Sequence, residues 1–212
     1  MKENLIIKDF CKIRNNQIFR NGILLFHDET LANPALFLKS AYKYFNLSYP
    51  KFFKMDNLSK LGFLATEILL KDKIKENLLI PGETGIVISN SASSLDTDRA
   101  FYETISDNSN FFPSPAVFVY TLPNIMIGEI CIRHKITGEN AFFVSEKFDA
   151  EFLYNYVSDL FKLNKISQCI AGWVDLLGDN YDAVQYFIEK GKNETNENVI
   201  FEPENISRIY IK

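Results

Sequence analysis

Apolar and polar positions alternate between two periods along this chain. Leu5-Ile6-Ile7 opens a first strand that continues toward Ile13, and Asn15-Asn16 marks a turn. Ile18-Phe19 and Ile23-Leu24-Leu25-Phe26 flank Asn21-Gly22. That pair suits a two-residue hairpin turn, because both positions tolerate positive φ. Asn33-Pro34 predicts a turn, followed by a short helix over 35–44. Asp56 is placed to cap the next helix, on which Leu58, Leu61, Ala65, Ile68 and Leu69 share one face. Residues 71–77 form its charged exit. Pro81-Gly82 is a turn, and the unbroken run Ile86-Val87-Ile88 suits a strand over 84–89 that is covered on both faces.

The second half continues the alternation. Residues 91–98 are polar and turn-like, 99–105 predict a helix, and 107–115 predict a loop interrupted by Pro113 and Pro115. Pro123 suits the first position of a helix through about Ile132. Gly138 turns the chain into a strand over 141–144. Asp149 caps a helix whose stripe is Leu153, Tyr156, Val157, Leu160 and Phe161. Strands over 168–174 and 183–188 are joined through Gly178-Asp179-Asn180. A polar loop over 190–198 and a closing strand over 206–211 complete the reading. Strands that alternate with helices, the central ones apolar throughout, argue for a layered α/β domain with a mixed, mostly parallel sheet.

Composition narrows the function classes. The chain has 212 residues, enough for one domain over 1–212 with a sizeable core. A net charge of −4 excludes a general electrostatic grip on nucleic acid. Phenylalanine is unusually frequent, at 19; most are expected in the core and some on an association surface. Cys11, Cys131 and Cys169 are odd in number and widely spaced, which gives neither a disulfide framework nor a zinc pattern. No cofactor or metal is implied. The N-terminus carries charges early and lacks the apolar stretch of a signal peptide, and no window reaches the length of a membrane span. A cytoplasmic protein is expected.

The chemistry concentrates where the strand over 141–144 meets the helix that starts near Asp149. A helix N-terminus stabilises a nearby anion, so such a bend is a natural seat for a nucleophile. Here the bend presents Phe148, which has no nucleophilic atom and no proton to give. Ser145 is the hydroxyl candidate, but the Gly-x-Ser-x-Gly phrase of a nucleophile elbow is absent. Elsewhere, Arg133-His134 reads as a helix-end pair that complements the dipole rather than as an anion site. Gly128 inside a helical pattern reads as tight helix packing. Ser91-Ala92-Ser93-Ser94 with Asp96 and Asp98 lacks the Gly-rich Lys-Ser/Thr ending of a P-loop and reads as a cap and polar loop.

Several phrases in order resemble the N-terminal half of a β-ketoacyl synthase, a member of the thiolase-like superfamily. They are Lys54-Met55-Asp56 with Leu61-Gly62 and Ala65-Thr66-Glu67, then Thr84-Gly85-Ile86-Val87-Ile88-Ser89, then Leu122-Pro123-Asn124-Ile125-Met126-Ile127-Gly128. Ile132-Arg133 with Gly138-Glu139-Asn140, and Ala171-Gly172-Trp173-Val174-Asp175, extend the likeness over most of 54–190. The resemblance implies a half-fold with about five strands flanked by helices. It places Phe148 where the family's acyl-accepting cysteine stands. It also implies that the catalytic histidines belong to a second half, and His27 and His134 match neither of them.

The resemblance therefore implies a catalytically silent ketosynthase-like subunit of fatty-acid or polyketide synthesis, of the polyene or pigment type. Its expected partners are a second copy of itself, an active ketosynthase, or an acyl carrier protein. Nucleic acid is not an expected partner. Phe142, Phe143, Val144 and Phe148 are the interface candidates, because the family's matching strand pairs across a two-fold axis. Two alternatives stand beside this reading: a small thioesterase or acyltransferase using Ser145, and a stand-alone acyl-binding module with a groove near Phe148.

Overall fold

Eleven residues, Asn4–Arg14, form β1, and the chain turns back at once through Asn15 and Asn16, both at positive φ. The computed structural model describes residues 4–31, 33–107, 109, 111–191 and 199–211. The turn leads into the hairpin of β2 (Gln17–Arg20) and β3 (Ile23–His27), with Asn21 and Gly22 at φ 51° and 79°, as the Asn-Gly pair requires. Helix α1 (Pro34–Tyr44) starts with Pro34 in its first turn, and the Asn33 side chain accepts from the Leu36 N–H. Helix α2 (Asn57–Lys75) is capped by Asp56, which accepts from the Ser59 N–H at 3.0 Å. Strand β4 (Thr84–Asn90) is buried at every position.

Helices α3 (Leu95–Glu103), α4 (Pro115–Phe118) and α5 (Ile125–His134) cross over to β5 (Asn140–Val144). Helix α6 (Ala150–Lys162) returns to β6 (Gln168–Leu177), and a tight turn with Gly178 at φ 61° delivers β7 (Asn180–Gly191). The two-residue β8 (Val199–Ile200) and helix α7 (Pro203–Ile211) end the described chain. No single helix among the described residues is long and apolar enough to cross a membrane.

The strands form one sheet in the order β3-β2-β1-β7-β6-β4-β5, with β8 on β1. It has eight strands where about five were expected, and it is mixed rather than mostly parallel: β4 runs parallel to β5 and β6, and the other pairings are antiparallel. The reason is connection length. A parallel pair needs a crossover, and the helical connections from β4 to β5 and from β5 to β6 set both of those strands beside β4 in the same direction. Tight turns join β1 to β2, β2 to β3 and β6 to β7, and tight turns force antiparallel neighbours.

Both faces of the sheet are covered. Along β7, Ala183 and Phe187 join the core beneath α1, α2 and α5, while Val184, Tyr186 and Ile188 join the core beneath α6 and α7. Period-2 alternation with apolar residues on both faces is what gives the central strands their unbroken apolar look. The expected single stripe on α2 is too narrow a description, since the helix is buried continuously from Leu58 to Leu70. At its waist the Gln185 amide, rising from β7, donates to the Gly62 carbonyl at 3.2 Å, and the Thr66 hydroxyl lies 2.9 Å from Gln185 Oε1. A Cβ on Gly62 would overlap the Met126 side chain of α5, so glycine permits that close crossing.

Other expectations need correction. Residues 206–211 form part of α7, not a strand. Pro203 opens the helix, and Ile206, Ile209 and Tyr210 then recur at i, i+3 and i+4, a helical period in a segment too short to show it plainly. Helix α3 begins at Leu95, four residues before the expected start, inside the polar stretch. Pro123 lies outside α5, whose N-cap is Asn124. Gly128 is not a packing glycine, because a Cβ there would meet nothing within 4 Å. Strand β7 runs to Gly191, and the remainder of the polar loop expected over 190–198 lies outside the described residues, as do positions 108 and 110 of the expected loop over 107–115.

Gly172 sits where β6 and β7 approach most closely, and a Cβ there would overlap the Val184 carbonyl. Gly172→Ala is expected to lower unfolding stability by about 1–3 kcal/mol through forced strand separation, read as a lower urea midpoint at unchanged slope.

Candidate functional site

The carboxyl ends of β4, β5 and β6 meet at one point. The crossover from β4 leads outward to β5, and the next one, through α6, returns to β6 on the other side of β4. Such a switch of direction opens a crevice at the strand ends, the usual ligand position of an open α/β sheet. Three segments line it here: the loop after Asn90, the bend of residues 145–149, and Trp173–Asp175.

The loop after β4 is already filled. Ser91 and Ala92 direct their backbone N–H groups at Asp175 Oδ1, at 2.9 and 3.0 Å, and the Ser91 hydroxyl donates to Asp175 Oδ2 at 2.8 Å. Asn90 closes a ring with Ser93, and Asp96 accepts from the Gly178 N–H at 2.9 Å. The acidic residues expected of a cap and polar loop are bound within the protein. The described residues contain no group of His, Cys, Asp and Glu that could hold a metal.

The bend itself is a packed aromatic junction. Phe148 is half-buried and stacks on Tyr210 of α7, with ring centroids 4.2 Å apart, while meeting Trp173 edge-on at 6.3 Å. The Arg14 guanidinium lies 5.0 Å from the centre of the Tyr210 ring and pairs with Asp182 at 3.0 Å. Burial, with Asp182 beside it, pushes the Tyr210 phenol up to about 12, so it is neutral at ordinary pH. The end of α6 that would attract an anion is capped by Asp149, whose carboxylate accepts from the Phe152 N–H at 2.9 Å. Glu151 and, across the cleft, Glu204 add negative charge to the same hollow of about 530 Å³.

No nucleophile–base pair forms at this point. The Ser145 hydroxyl donates to the Lys147 carbonyl at 3.1 Å, and its N–H to the Asn90 carbonyl. His134 lies 3.0 Å from Glu67 in the layer of α2 and α5, on the other face of the sheet from Phe148. His27 ends β3. Cys11 and Cys169 are fully buried within strands, and burial pushes the Cys11 thiol up to about 12 and the Cys169 thiol higher still. Burial raises the Cys131 thiol on α5 as well.

Among the interface candidates, Phe142 packs on the core beneath α2, and Phe143 meets Phe152 and Tyr156 edge-on in the other core. Val144 stays 57% exposed. Strand β5 is the end of the sheet, and its outer backbone edge pairs with nothing among the described residues. Sequence reasoning missed Tyr210, because reading 206–211 as a strand hid the residue that covers Phe148. An aromatic at i+4 after the buried isoleucines at i and i+3, Ile206 and Ile209, was the available signal.

Arg133-His134 is more than a dipole complement. Arg133 forks onto Glu67 at 2.9 and 3.3 Å, donates to the Ser48 carbonyl at 3.3 Å and sits 5.2 Å from the Tyr49 ring centre. Burial acts to raise the Glu67 carboxyl, but hydrogen bonds and charge from His134 and Arg133 outweigh it and hold it below its ordinary 4.5. The pair joins α2 to α5.

No family model matches the chain, and no curated protein matches it. Solved structures share its fold. The ishigamide ketosynthase/chain length factor superposes with a TM-score of 0.63 at 14% identity, over 91% of this chain and 63% of that one. The AntDE:AntF complex, a type II polyketide-synthase acyl-carrier protein with its ketosynthase bound to the hexaketide, gives 0.65 at 11% identity, over 89% and 63%. The ketosynthase ApeO in complex with its chain length factor ApeC, from Xenorhabdus doucetiae, gives 0.55 at 13% identity, over 91% and 81%. The chain thus spans less than two thirds of the first two structures and about four fifths of the third. The mixed α/β sheet with helices on both faces is therefore a ketosynthase-like fold.

Two outcomes check this geometry. Glu67 is deprotonated more readily in the folded chain than in the unfolded one. Its stabilisation is complete above the unfolded value and is lost as pH falls through the lower folded one. Glu67→Gln is expected to flatten the fall of thermal midpoint below about pH 4.5 relative to the parent chain. Ser145 is expected to take up no label from a fluorophosphonate probe, checked by intact mass.

Proposed function

We propose that this chain, as a single domain over residues 1–212, is a catalytically silent ketosynthase-like subunit that pairs with an active ketosynthase in polyketide or fatty-acid synthesis. The observation that carries the reading is Phe148. An acyl-enzyme needs a thiolate or an activated hydroxyl. The bend offers a phenyl ring clamped between Tyr210 and Trp173, a capped helix end and three carboxylates. A site arranged in this way repels a developing oxyanion.

Two further observations favour pairing. The outer edge of β5 leaves backbone N–H and C=O groups open beside the exposed Val144, and an unprotected edge strand is a ready template for another chain. Several structures of the same fold are complexes of a ketosynthase with a chain length factor, and one of them is matched over four fifths of its length. An acyl carrier protein belongs to the same reading as the source of the growing chain, as in the AntDE:AntF complex.

Co-expression with a candidate ketosynthase and native mass spectrometry test this proposal. A 1:1 complex is expected, and Val144→Lys is expected to weaken it at least about tenfold while changing the stability of the isolated chain by no more than about 0.5 kcal/mol. A chain that stays monomeric with every ketosynthase offered, or a complex indifferent to Val144→Lys, contradicts the reading.

A further inference from the structure

The longest uncharged run of the chain lies outside both the bend and the β5 edge. Twenty-one residues, 108–128, separate Asp107 from Glu129 without one charged side chain. Within it, α4 and the helical turn Val119–Thr121 that follows lie back along α3. The Phe112 N–H donates to the Thr104 carbonyl at 3.0 Å just past the end of α3, and the Phe118 ring meets Phe101 at 5.2 Å. At the start of α3 the Ser94 hydroxyl donates to the Thr121 carbonyl at 2.6 Å. Phe112, Phe118, Val119 and Leu122 therefore form one ridge about 15 Å long, the rise of ten helical residues from Ser94 to Thr104. Phe112 is 77% exposed, Phe118 56% and Leu122 55%.

The polar side chains of residues 111–122 all have partners inside the protein. Ser114 accepts from the Val117 N–H at 3.4 Å, Thr121 donates to the Phe118 carbonyl at 2.7 Å, and the buried Tyr120 donates to Glu129 at 3.0 Å. Pro113 and Pro115 have no N–H to leave open. A surface that meets another protein makes about one hydrogen bond per 100–200 Å², so it keeps side-chain donors and acceptors at hand. A surface that meets hydrocarbon must settle its polar groups internally, because lipid tails offer no partner. The ridge is of the second kind. It does not belong to a span: Pro115–Thr121 meets Ile125–His134 at 98°, and α5 is held in the core by Met126, Ile127 and Ile130.

We propose that this ridge inserts into one leaflet of a lipid bilayer without net charge and holds the protein on the membrane surface. Phe112, Phe118 and Leu122 enter the boundary between headgroups and acyl chains. Helix α3 beside them carries Asp96, Asp98 and Glu103 against one cation, Arg99. Apolar burial, and not attraction to anionic headgroups, therefore supplies the affinity. The ridge includes neither Val144 nor Phe148, and its role stands whether or not the chain pairs with a ketosynthase.

Flotation of the full chain with phosphatidylcholine vesicles tests the proposal. Association is expected, and Phe112→Ser combined with Phe118→Ser is expected to weaken it by about tenfold or more. Leu163→Ser removes a side chain that is 68% exposed at the end of α6, and it is expected to leave association within about twofold. Adding phosphatidylglycerol to the vesicles is expected to give no tighter binding. Phe112→Trp gives a reading that needs no loss of binding. Trp173 is the chain's single tryptophan and is buried, so a blue shift and quenching by brominated phosphatidylcholine report the introduced ring. Absence of association overturns the proposal, as does equal loss in Leu163→Ser, markedly tighter binding to phosphatidylglycerol, or an introduced ring that is not quenched. Loss of a ketosynthase complex in the double variant, with no vesicle association by the parent chain, assigns the ridge to a protein interface and also overturns it.

Discussion

A helix buried on every side can persist only if each of its faces has a partner of its own, and α2 is such a helix. Over thirteen consecutive residues, Leu58 to Leu70, no face meets bulk water. Below it lie β1, β6 and β7, and around it α1 and α5. The polar groups it carries inward are answered in place: Gly62 and Thr66 by Gln185, Glu67 by Arg133 and His134. A buried polar group without a partner costs about 1–3 kcal/mol, so these contacts fix the rotation of the helix as well as its position.

The opposite face follows a different logic. Helices α6 and α7 cover it, and at the carboxyl ends of the strands the features that usually recruit anions are satisfied internally. Asp175 accepts the paired N–H groups of the loop after β4, and Asp149 occupies the start of α6. Phe148, Tyr210 and Trp173 then close the bend with apolar surface. A catalytic centre keeps such features unpaired until substrate arrives. In this arrangement the donors of the loop after β4 and the start of α6 are already paired, which is the physical basis of the proposal made above.

The edge of β5, with Phe142 and Phe143 anchored in opposite cores, is rigid on both sides and open only along its outer backbone.

Much of this was legible from local chemistry. The Asn21-Gly22 hairpin, the Asp56 and Asp149 caps, the strand around Ile86-Val87-Ile88, and the absence of a nucleophile at Phe148 all follow from residue type and spacing within a few positions, where short-range sterics and hydrogen bonding decide. Strand direction, the helical state of 206–211 and the embrace of α2 were not legible in the same way. A six-residue segment such as Ile206-Ser207-Arg208-Ile209-Tyr210-Ile211 is too short for its apolar positions to separate the two periods, and the choice falls to whichever surface is left uncovered, here the face of the sheet over Tyr186 and Trp173. By itself, the sequence determined that Phe148 brings no reactive atom to the bend. That Tyr210 closes over it was decided by tertiary structure, because the contact depends on packing between segments far apart in the chain.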